Sequence, residues 1–211
     1  MKNVALIFGG RSAEHEVSVI TALQILKGYT KEEINLFPLF LSKSNEFFIA
    51  DKSCILTDFK NPESSKHFTP VYLRVGSPDL FLVSKPKKKA ITVDCAVIAT
   101  HGGIGENGEL VAMLKASKIP ASSGNCLGVA AGYDKVITKA VAKSINIPTV
   151  NGVWFYKQEW ENAPTKLISQ IKKLKLPVIV KPARQGSSIG ITVCHDTREI
   201  VKAINLALEF D

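Results

Sequence analysis

The sequence has few cysteines, no long apolar run and fewer acidic than basic residues, and each shortage excludes a class of protein. Its four cysteines stand far apart and form no Cys-x-x-Cys pair, which argues against a zinc site, a redox motif and a disulfide scaffold. No apolar stretch approaches the length of a membrane span, and the first one, Val4 to Phe8, is too short for a signal peptide. We therefore expect a cytoplasmic protein with no membrane contact.

The excess of basic over acidic residues is typical of a protein with anionic partners, but it does not identify the partner. Lys and Arg number 27 against 19 Asp and Glu, for a net charge of +8 in 211 residues. An apolar content of 45% with 22% charged residues is typical of a globular chain of one or two domains. The densest cluster of basic residues consists of Lys85 and Lys87 to Lys89. We predict that it forms the solvated tip of a hairpin. No nucleic-acid-binding motif supports a nucleic-acid partner.

The first ligand-site candidate is a strand that runs into a glycine turn and a helix. Val4 to Phe8 predicts a buried strand, Gly9-Gly10 ends it, and apolar residues at helical spacing follow to about Gly28. Ser12 is the predicted N-cap. Glu14 lies near the helix N-terminus, where the helix dipole stabilises an acid, so it is either a functional carboxylate or a simple first-turn residue.

A second candidate follows the apolar strand Cys95 to Ala99. The turn after it contains Gly103, Gly105 and Gly108, which formally match the GxGxxG dinucleotide fingerprint before a helix from Glu109 to about Ser117. Glu106 inside the turn would repel a pyrophosphate, and no acidic residue follows a second strand at the required distance, so a nicotinamide enzyme is a distant alternative. His101 either orients a ligand or is a satisfied structural histidine.

The third candidate is the turn from Lys181 to Gly190. Two apolar runs, Pro177 to Val180 and Ile191 to Val193, predict the strands that flank it. Gly186, Ser187 and Ser188 offer N–H and hydroxyl donors, and Lys181 adds a positive charge, which together suit a phosphate. A plain hairpin with a solvated lysine is the alternative.

The remaining elements come from periodicity and capping signals. Strands are predicted over Ile34 to Leu41, Phe47 to Ala50, Leu80 to Val83, Ile91 to Val93, Ile119 to Ser123 and Val153 to Tyr156, with a loop from Asp51 to about Pro70. Helices are predicted over Asp134 to about Ser144, Gln158 to Leu174 with an early interruption at Pro164, and Asp196 to Glu209. Lys135 lies in the first turn of its helix, where the positive end of the helix dipole disfavours a cation. It either belongs to a site that binds an anion or is an ordinary exposed lysine.

Four stretches in this order resemble one family, the D-alanine–D-alanine ligases of the ATP-grasp superfamily. They are GGRSAEHEVS at 9–18, HGGIGENG at 101–108, YDK at 133–135 with Thr138-Lys139 after it, and VKPARQGSSIG at 180–190. The resemblance runs from Val4 to the end of the chain. It implies an α/β fold with a Rossmann-like, pre-ATP-grasp N-terminal domain over residues 1–121. Residues 122–211 would form the central lobe of an incomplete ATP-grasp fold whose C-terminal lobe is absent.

The resemblance also implies a reaction and its partners. Two D-alanines are joined at the expense of ATP, through an acyl phosphate, to supply a peptidoglycan precursor. ATP and Mg²⁺ take part, and the enzyme is expected to be a cytoplasmic homodimer that assembles through its N-terminal region.

Several residues match the family's functional positions. Glu14 and Ser187 are implied as catalytic, with Ser187 joined to Glu14 by a hydrogen-bond relay. The implied substrate-binding residues are Glu14, Val17, Ser18, His101 and Gly102. The implied ATP-binding residues are Lys135, Lys181, Gly186, Ser187 and Ser188.

The chain departs from the family pattern in two respects. At Gly103-Ile104 and Gly124-Asn125 the sequence differs from the family pattern, at positions near the pocket for the first substrate. The lobe that carries the family's Mg²⁺ ligands is missing, so no metal ligand is expected in this chain. We expect a truncated form, a split-gene half or part of a longer protein, with little or no activity. A ligase that uses D-lactate or D-serine, and a non-catalytic ligand-binding fragment, are the alternatives.

Overall fold

The computed structural model describes residues 1–211 and divides into two compact units, Met1–Ala130 and Ala131–Asp211. We call them the N-terminal and the C-terminal unit. The α/β fold class expected from the sequence is confirmed. The domain boundary expected between residues 121 and 122 remains a prediction.

The N-terminal unit is built on one seven-stranded sheet in the order β6-β5-β4-β3-β2-β1-β7. Its strands are β1 (Lys2–Gly9), β2 (Ile34–Leu41), β3 (Phe47–Ala50), β4 (Phe68–Arg74), β5 (Ser77–Leu82), β6 (Lys85–Thr92) and β7 (Cys95–Ile98). Strand β1 pairs in parallel with β2 on one side and with β7 on the other. Strands β2 to β6 form an antiparallel meander.

Helices cover both faces of β1, which is why its apolar run is continuous. Alternate side chains of the strand, with Leu6 and Phe8 among them, join a core cluster with α1 (His15–Gly28). Ala5 and Ile7 point the other way and pack with α2 (Glu109–Ala116). The sheet therefore forms the middle of a three-layer unit.

The aromatic rings of the N-terminal unit collect around Phe40 on β2. Its ring centroid lies 5.6 Å from that of Phe8, 5.0 Å from Phe59 and 5.9 Å from Phe68. Phe59 belongs to a 3₁₀ turn at Leu56–Lys60, and a second such turn follows at Pro62–Ser64. These rings anchor the long connection between β3 and β4 to the core.

Three strand predictions for the N-terminal unit are wrong or incomplete. The predicted loop to Pro70 already contains the start of β4. The lysine cluster lies within edge strand β6, where charged side chains discourage pairing with another chain, rather than at a hairpin tip. The predicted strand Ile119 to Ser123 is reduced to one parallel bridge between Ala96 and Ala121.

With Ser12 as the N-cap, α1 would begin at Ala13, but it begins two residues later, at His15. The Ser12 hydroxyl instead accepts a hydrogen bond from the Glu14 N–H at 3.2 Å, and Glu14 is the N-cap. Val19 and Ala22 are the apolar residues that α1 buries, whereas Val17 and Ile20 are 49% and 42% exposed. The apolar spacing predicted the helix correctly but only part of its buried face.

The C-terminal unit packs helices on a two-stranded antiparallel sheet of β8 (Val178–Val180) and β9 (Thr192–Cys194). Helix α3 (Cys126–Tyr133) spans the division between the units, and α4 (Lys135–Ser144), α5 (Lys157–Asn162), α6 (Pro164–Ile171) and α7 (Ile200–Ala207) follow. The core of this unit consists of buried residues from α5, α6, α7 and both strands: Trp160, Leu167, Ile171, Val178, Cys194, Ile200, Ala203 and Ile204.

Two predicted helices and one predicted strand of the C-terminal unit need correction. Pro164 begins α6, so the single predicted helix is two helices, as expected of proline at a first helical position. The predicted strand Val153 to Tyr156 is irregular. Helix α7 is shorter than predicted, although the Glu199 carboxylate still accepts the N–H groups of His195 and Asp196, at 2.8 and 3.2 Å, in the turn before it.

No helix of the protein combines the length and the apolar character that crossing a bilayer requires.

Candidate active site

The first candidate site lies where the sheet order reverses. Because β1 has parallel neighbours on both sides, the segments that leave the carboxyl ends of β1 and β7 diverge over opposite faces of the sheet. The crevice between such segments is the usual ligand site of an open α/β sheet. Gly9-Gly10 and the segment from Thr100 to Gly103 occupy this position.

Helix α1 and strand β2 hold the Gly9-Gly10 turn in place. The Gly9 N–H donates to Ser18 Oγ at 2.7 Å, and this hydroxyl donates to the Ala99 carbonyl at 2.8 Å. Gly10 donates to the Leu41 carbonyl at 2.7 Å. Both glycines have φ of +88°, and a Cβ on Gly9 would collide with the Leu41 carbonyl oxygen. Only glycine fits this turn without strain.

The loop after β7 is fixed against the start of α1. The Ser12 hydroxyl donates to the His101 carbonyl at 2.6 Å. Gly102 has φ of +68°, and a Cβ there would stand 3.4 Å from Glu14 Oε2, so the Glu14 carboxylate lies beside the loop. The structure therefore brings the predicted site residues Glu14, His101 and Gly102 together.

The side chains of the other two predicted substrate residues differ in accessibility. Ser18 is completely buried, and both its hydrogen bonds are to the backbone of the fold. Val17 is exposed on α1. Their predicted contacts with substrate remain predictions, and within the fold Ser18 acts on the glycine turn.

Two residues of this site were missed by sequence reasoning. Ser12 was read only as a helix cap, and Thr21 was not considered. The Thr21 hydroxyl lies 3.2 Å from His101 Nε2, across 80 positions of sequence. No local pattern reports such a pairing, because it depends on how β7 is placed beside β1.

The second candidate site is in the C-terminal unit, where α4 meets the turn from Lys181 to Gly190. The helix predicted from Asp134 begins one residue later, and Asp134 caps it by accepting the N–H groups of Val136 and Ile137 at 2.8 and 3.1 Å. Lys135 Nζ donates to the carbonyls of Ala183 and Gln185, at 3.1 and 2.6 Å. The lysine thereby fastens the turn to the start of the helix.

Lys135 is in an unfavourable place for a cation. Burial, and secondly the positive charge of Lys181, lower the pKa of Lys135 below its ordinary value, while Asp211 and Asp134 act in the opposite direction. A lysine in the first turn of a helix, with the charge of a second lysine acting on it, forms an arrangement that a bound polyanion would relieve. The arrangement therefore suits a ligand that carries several phosphate charges.

The turn itself has an unusual backbone. Ser187 and Ser188 have φ of +46° and +62°, a backbone conformation that residues other than glycine rarely adopt. The Ile189 and Ile191 N–H groups donate to the Gly186 and Ser188 carbonyls, at 3.0 and 3.2 Å. Strain of this kind is common in ligand-binding turns.

Contacts from the end of the chain also hold the turn, which the sequence did not predict. The Arg184 guanidinium lies 2.8 Å from Asp211 Oδ1, and the Arg184 N–H donates to Asp211 Oδ2 at 2.9 Å. The Gln185 amide donates to the Phe210 carbonyl at 3.1 Å.

A metal site does not form within these residues. No group of three or more His, Cys, Asp or Glu side chains in residues 1–211 is arranged to hold a metal ion. The Mg²⁺ implied by the resemblance therefore does not fit a ligand set in this chain.

The fold and its two sites define the class of protein: a mixed α/β chain with an N-terminal domain followed by part of an ATP-grasp fold. Two family models match it, D-ala D-ala ligase N-terminus over residues 3–123 and D-ala D-ala ligase C-terminus over residues 141–211. The chain belongs to the D-alanine–D-alanine ligase family, which confirms the resemblance.

Individual relatives agree with this assignment. The D-alanine–D-alanine ligase of Thermosipho africanus is 34% identical over 211 residues, which are 100% of this chain and 57% of the relative. A crystal structure of D-alanine–D-alanine ligase from Helicobacter pylori matches with a TM-score of 0.83 and 28% identity, covering 100% of this chain and 64% of that one. The VanG D-Ala:D-Ser ligase of Enterococcus faecalis has a TM-score of 0.80 and 27% identity, and 60% of its chain is covered. The chain thus spans about three fifths of the length of these relatives.

Replacing Ser18 with alanine should destabilise the protein by about 1–3 kcal/mol, because the buried Gly9 N–H and Ala99 carbonyl lose their shared partner. Urea unfolding followed by circular dichroism measures the change. Ser64→Ala is the control, since its exposed hydroxyl bonds only to the neighbouring Asn61 carbonyl. Equal unfolding midpoints for the two variants would contradict this role of Ser18.

Proposed function

We propose that this chain supplies the substrate-binding and phosphate-binding parts of a D-alanine–D-alanine ligase, which joins two D-alanines for peptidoglycan synthesis at the expense of ATP. The observation that carries the proposal is the position of Lys135, held by two carbonyls of the turn and disfavoured as a cation until an anion binds. Family membership supplies the identity of the substrate.

On the substrate side, the Glu14 carboxylate binds the ammonium group of the first D-alanine. His101 and Gly102 line the same crevice, and Val17 and Ser18 complete the set. A carboxylate suits this task because an ammonium group needs a fixed negative partner once it leaves water. Ser187 serves the attack of the second amine, as the family resemblance implies.

On the nucleotide side, ATP supplies the phosphoryl group that activates the first D-alanine carboxylate as an acyl phosphate. Lys135 and Lys181 hold the phosphates and neutralise their charge. Gly186, Ser187 and Ser188 offer donors from the turn, and closure of the turn would keep water from the activated carboxylate. The second D-alanine then needs mainly correct positioning.

Other expectations from the family stand as proposals. Mg²⁺ takes part in the family's reaction, but residues 1–211 offer it no ligand group, and no step is assigned to it here. We also propose a cytoplasmic location and a homodimer formed through the N-terminal unit.

A ligase with a different acceptor is the second candidate. The Enterococcus faecalis relative is a D-Ala:D-Ser ligase and matches this chain about as well as the Helicobacter pylori enzyme does. D-Serine, and by the same reasoning D-lactate, therefore belong among the acceptors to test, and a fragment that binds ligand without turnover is the non-catalytic alternative. Family membership leaves the nicotinamide enzyme without support.

Binding of a polyphosphate should be coupled to proton uptake through Lys135. At alkaline pH a fraction of this lysine is neutral because its pKa is lowered, and a bound polyanion favours the charged form. Affinity for inorganic triphosphate should therefore fall as pH rises through the lowered pKa. In the free protein the sign is opposite: stability should rise over the same interval, since the fold disfavours the charged lysine.

Titration calorimetry in two buffers of different ionisation enthalpy measures the protons taken up with triphosphate. Lys135→Met should abolish most of the uptake and weaken binding. Lys143→Met is the matched control, because Lys143 is an exposed lysine in the last turn of the same helix. Undiminished proton uptake by Lys135→Met would show that Lys135 does not bind the anion.

The ligase reaction is tested by phosphate release from ATP in the presence of Mg²⁺. The chain is assayed alone and together with the region of the Thermosipho africanus enzyme that extends beyond the match. We expect release that depends on D-alanine in the combined sample and not on L-alanine, and little or none from the chain alone. Release that is indifferent to D-alanine would contradict the proposed function.

A further inference from the structure

We propose that Thr21 is a positioning residue that fixes the imidazole of His101 as its Nε2–H tautomer. The Nδ1 atom then acts only as a hydrogen-bond acceptor toward the ligand. The two side chains come from α1 and from the loop after β7, and they meet at a contact of 3.2 Å between Thr21 Oγ1 and His101 Nε2.

The two distances at the Thr21 hydroxyl decide the direction of its hydrogen bonds. Oγ1 lies 2.9 Å from the Val17 carbonyl oxygen and 3.2 Å from His101 Nε2. O–H donors reach about 2.5–3.0 Å, whereas N–H donors reach about 2.7–3.2 Å. The single hydroxyl proton therefore goes to Val17, and the oxygen accepts from Nε2–H.

The opposite tautomer is the poorer arrangement. It would need the hydroxyl to donate to Nε2 at 3.2 Å and to give up its shorter bond with Val17. Since the 2.9 Å contact is the one within the range of O–H donors, the geometry favours Nε2–H.

The backbone of His101 is fixed as well, so that the tautomer has a defined orientation. Ser12 Oγ donates to the His101 carbonyl at 2.6 Å, and the Glu14 carboxylate lies beside the next residue, Gly102. Nδ1 is then left as an acceptor, and the Glu14 carboxylate beside the same loop is a second acceptor. A ligand group with several N–H donors, such as an ammonium, is complementary to them.

The choice of ligand rests on the proposed function: the ammonium is that of D-alanine. The tautomer does not rest on it, because it belongs to the protein before any ligand binds. Its test can therefore fail or succeed independently of the substrate.

Nitrogen NMR of histidine-labelled protein reads the tautomer directly, at a pH where the imidazole is neutral. The chain contains four histidines, and the His101 signals are assigned by their loss in His101→Gln. We expect the Nε2–H pattern in the unaltered protein, a shift toward Nδ1–H in Thr21→Val, and recovery in Thr21→Ser. Thr30→Val, at an exposed threonine just beyond α1, is the control.

Affinity for D-alanine, measured by calorimetry on the same proteins, should fall roughly two- to tenfold in Thr21→Val and recover in Thr21→Ser. An Nδ1–H pattern in the unaltered protein, or a Thr21→Val spectrum identical to it, would overturn the inference. A tautomer that responds as expected without any D-alanine binding would support the positioning role and count against the proposed substrate.

Discussion

The N-terminal unit depends on one constraint, the burial of β1 between two parallel strands and two helical layers. With neighbours on both edges and helices on both faces, the buried part of β1, Val4 to Phe8, must be apolar, and the chain turns sharply at the carboxyl end of the strand. The sharp exit requires Gly9 and Gly10 with positive φ. Ser18, buried on α1, supplies the hydrogen bond that the turn needs. The position of Glu14 and His101 follows from this arrangement.

The second site illustrates a different principle, in which local instability marks a place for a ligand. Lys135 gives up solvation to bond two backbone carbonyls, and it does so close to another lysine and at a helix N-terminus. Ser187 and Ser188 adopt a strained backbone in the same turn. The desolvated charge of Lys135 and the strained backbone both carry a free-energy cost, and both are explained together if the turn binds a polyanion.

Sequence reasoning succeeded where the signal is local or strongly apolar. Strands β2 and β3 were predicted with their observed bounds, and the start of α4 was predicted at Asp134, one residue before the observed start. Strand β4 was missed because Phe68–Arg74 contains Pro70 and follows a polar stretch, so that only its pairing with β3 and β5 makes it a strand. The lysines of β6 were misplaced for the same reason, since a charged edge strand resembles a loop in sequence.

In the candidate sites too, the sequence predicted the features that depend on local signals and missed those that depend on packing. The order of the motifs indicated Glu14, His101, Lys135 and Lys181 as site residues. The sequence also predicted that each lies at the start of a helix or the end of a strand. The contacts that tune them were not predicted, because they join residues distant in sequence: Thr21 with His101, and Arg184 with Asp211. Such pairings follow from packing, which periodicity and capping rules do not describe.

The binding of D-alanine at the end of β1 is the most direct test of the substrate crevice. Titration calorimetry with D-alanine and L-alanine, on the unaltered protein and on Glu14→Gln, measures it. Glu106→Gln, which changes an exposed carboxylate in the turn after β7, is the control. We expect the protein to prefer D-alanine, and Glu14→Gln to lose about tenfold or more in affinity, because a charge-assisted bond is replaced by a neutral one. Equal affinity of Glu14→Gln and the unaltered protein for D-alanine would contradict the assignment of this crevice to the first substrate.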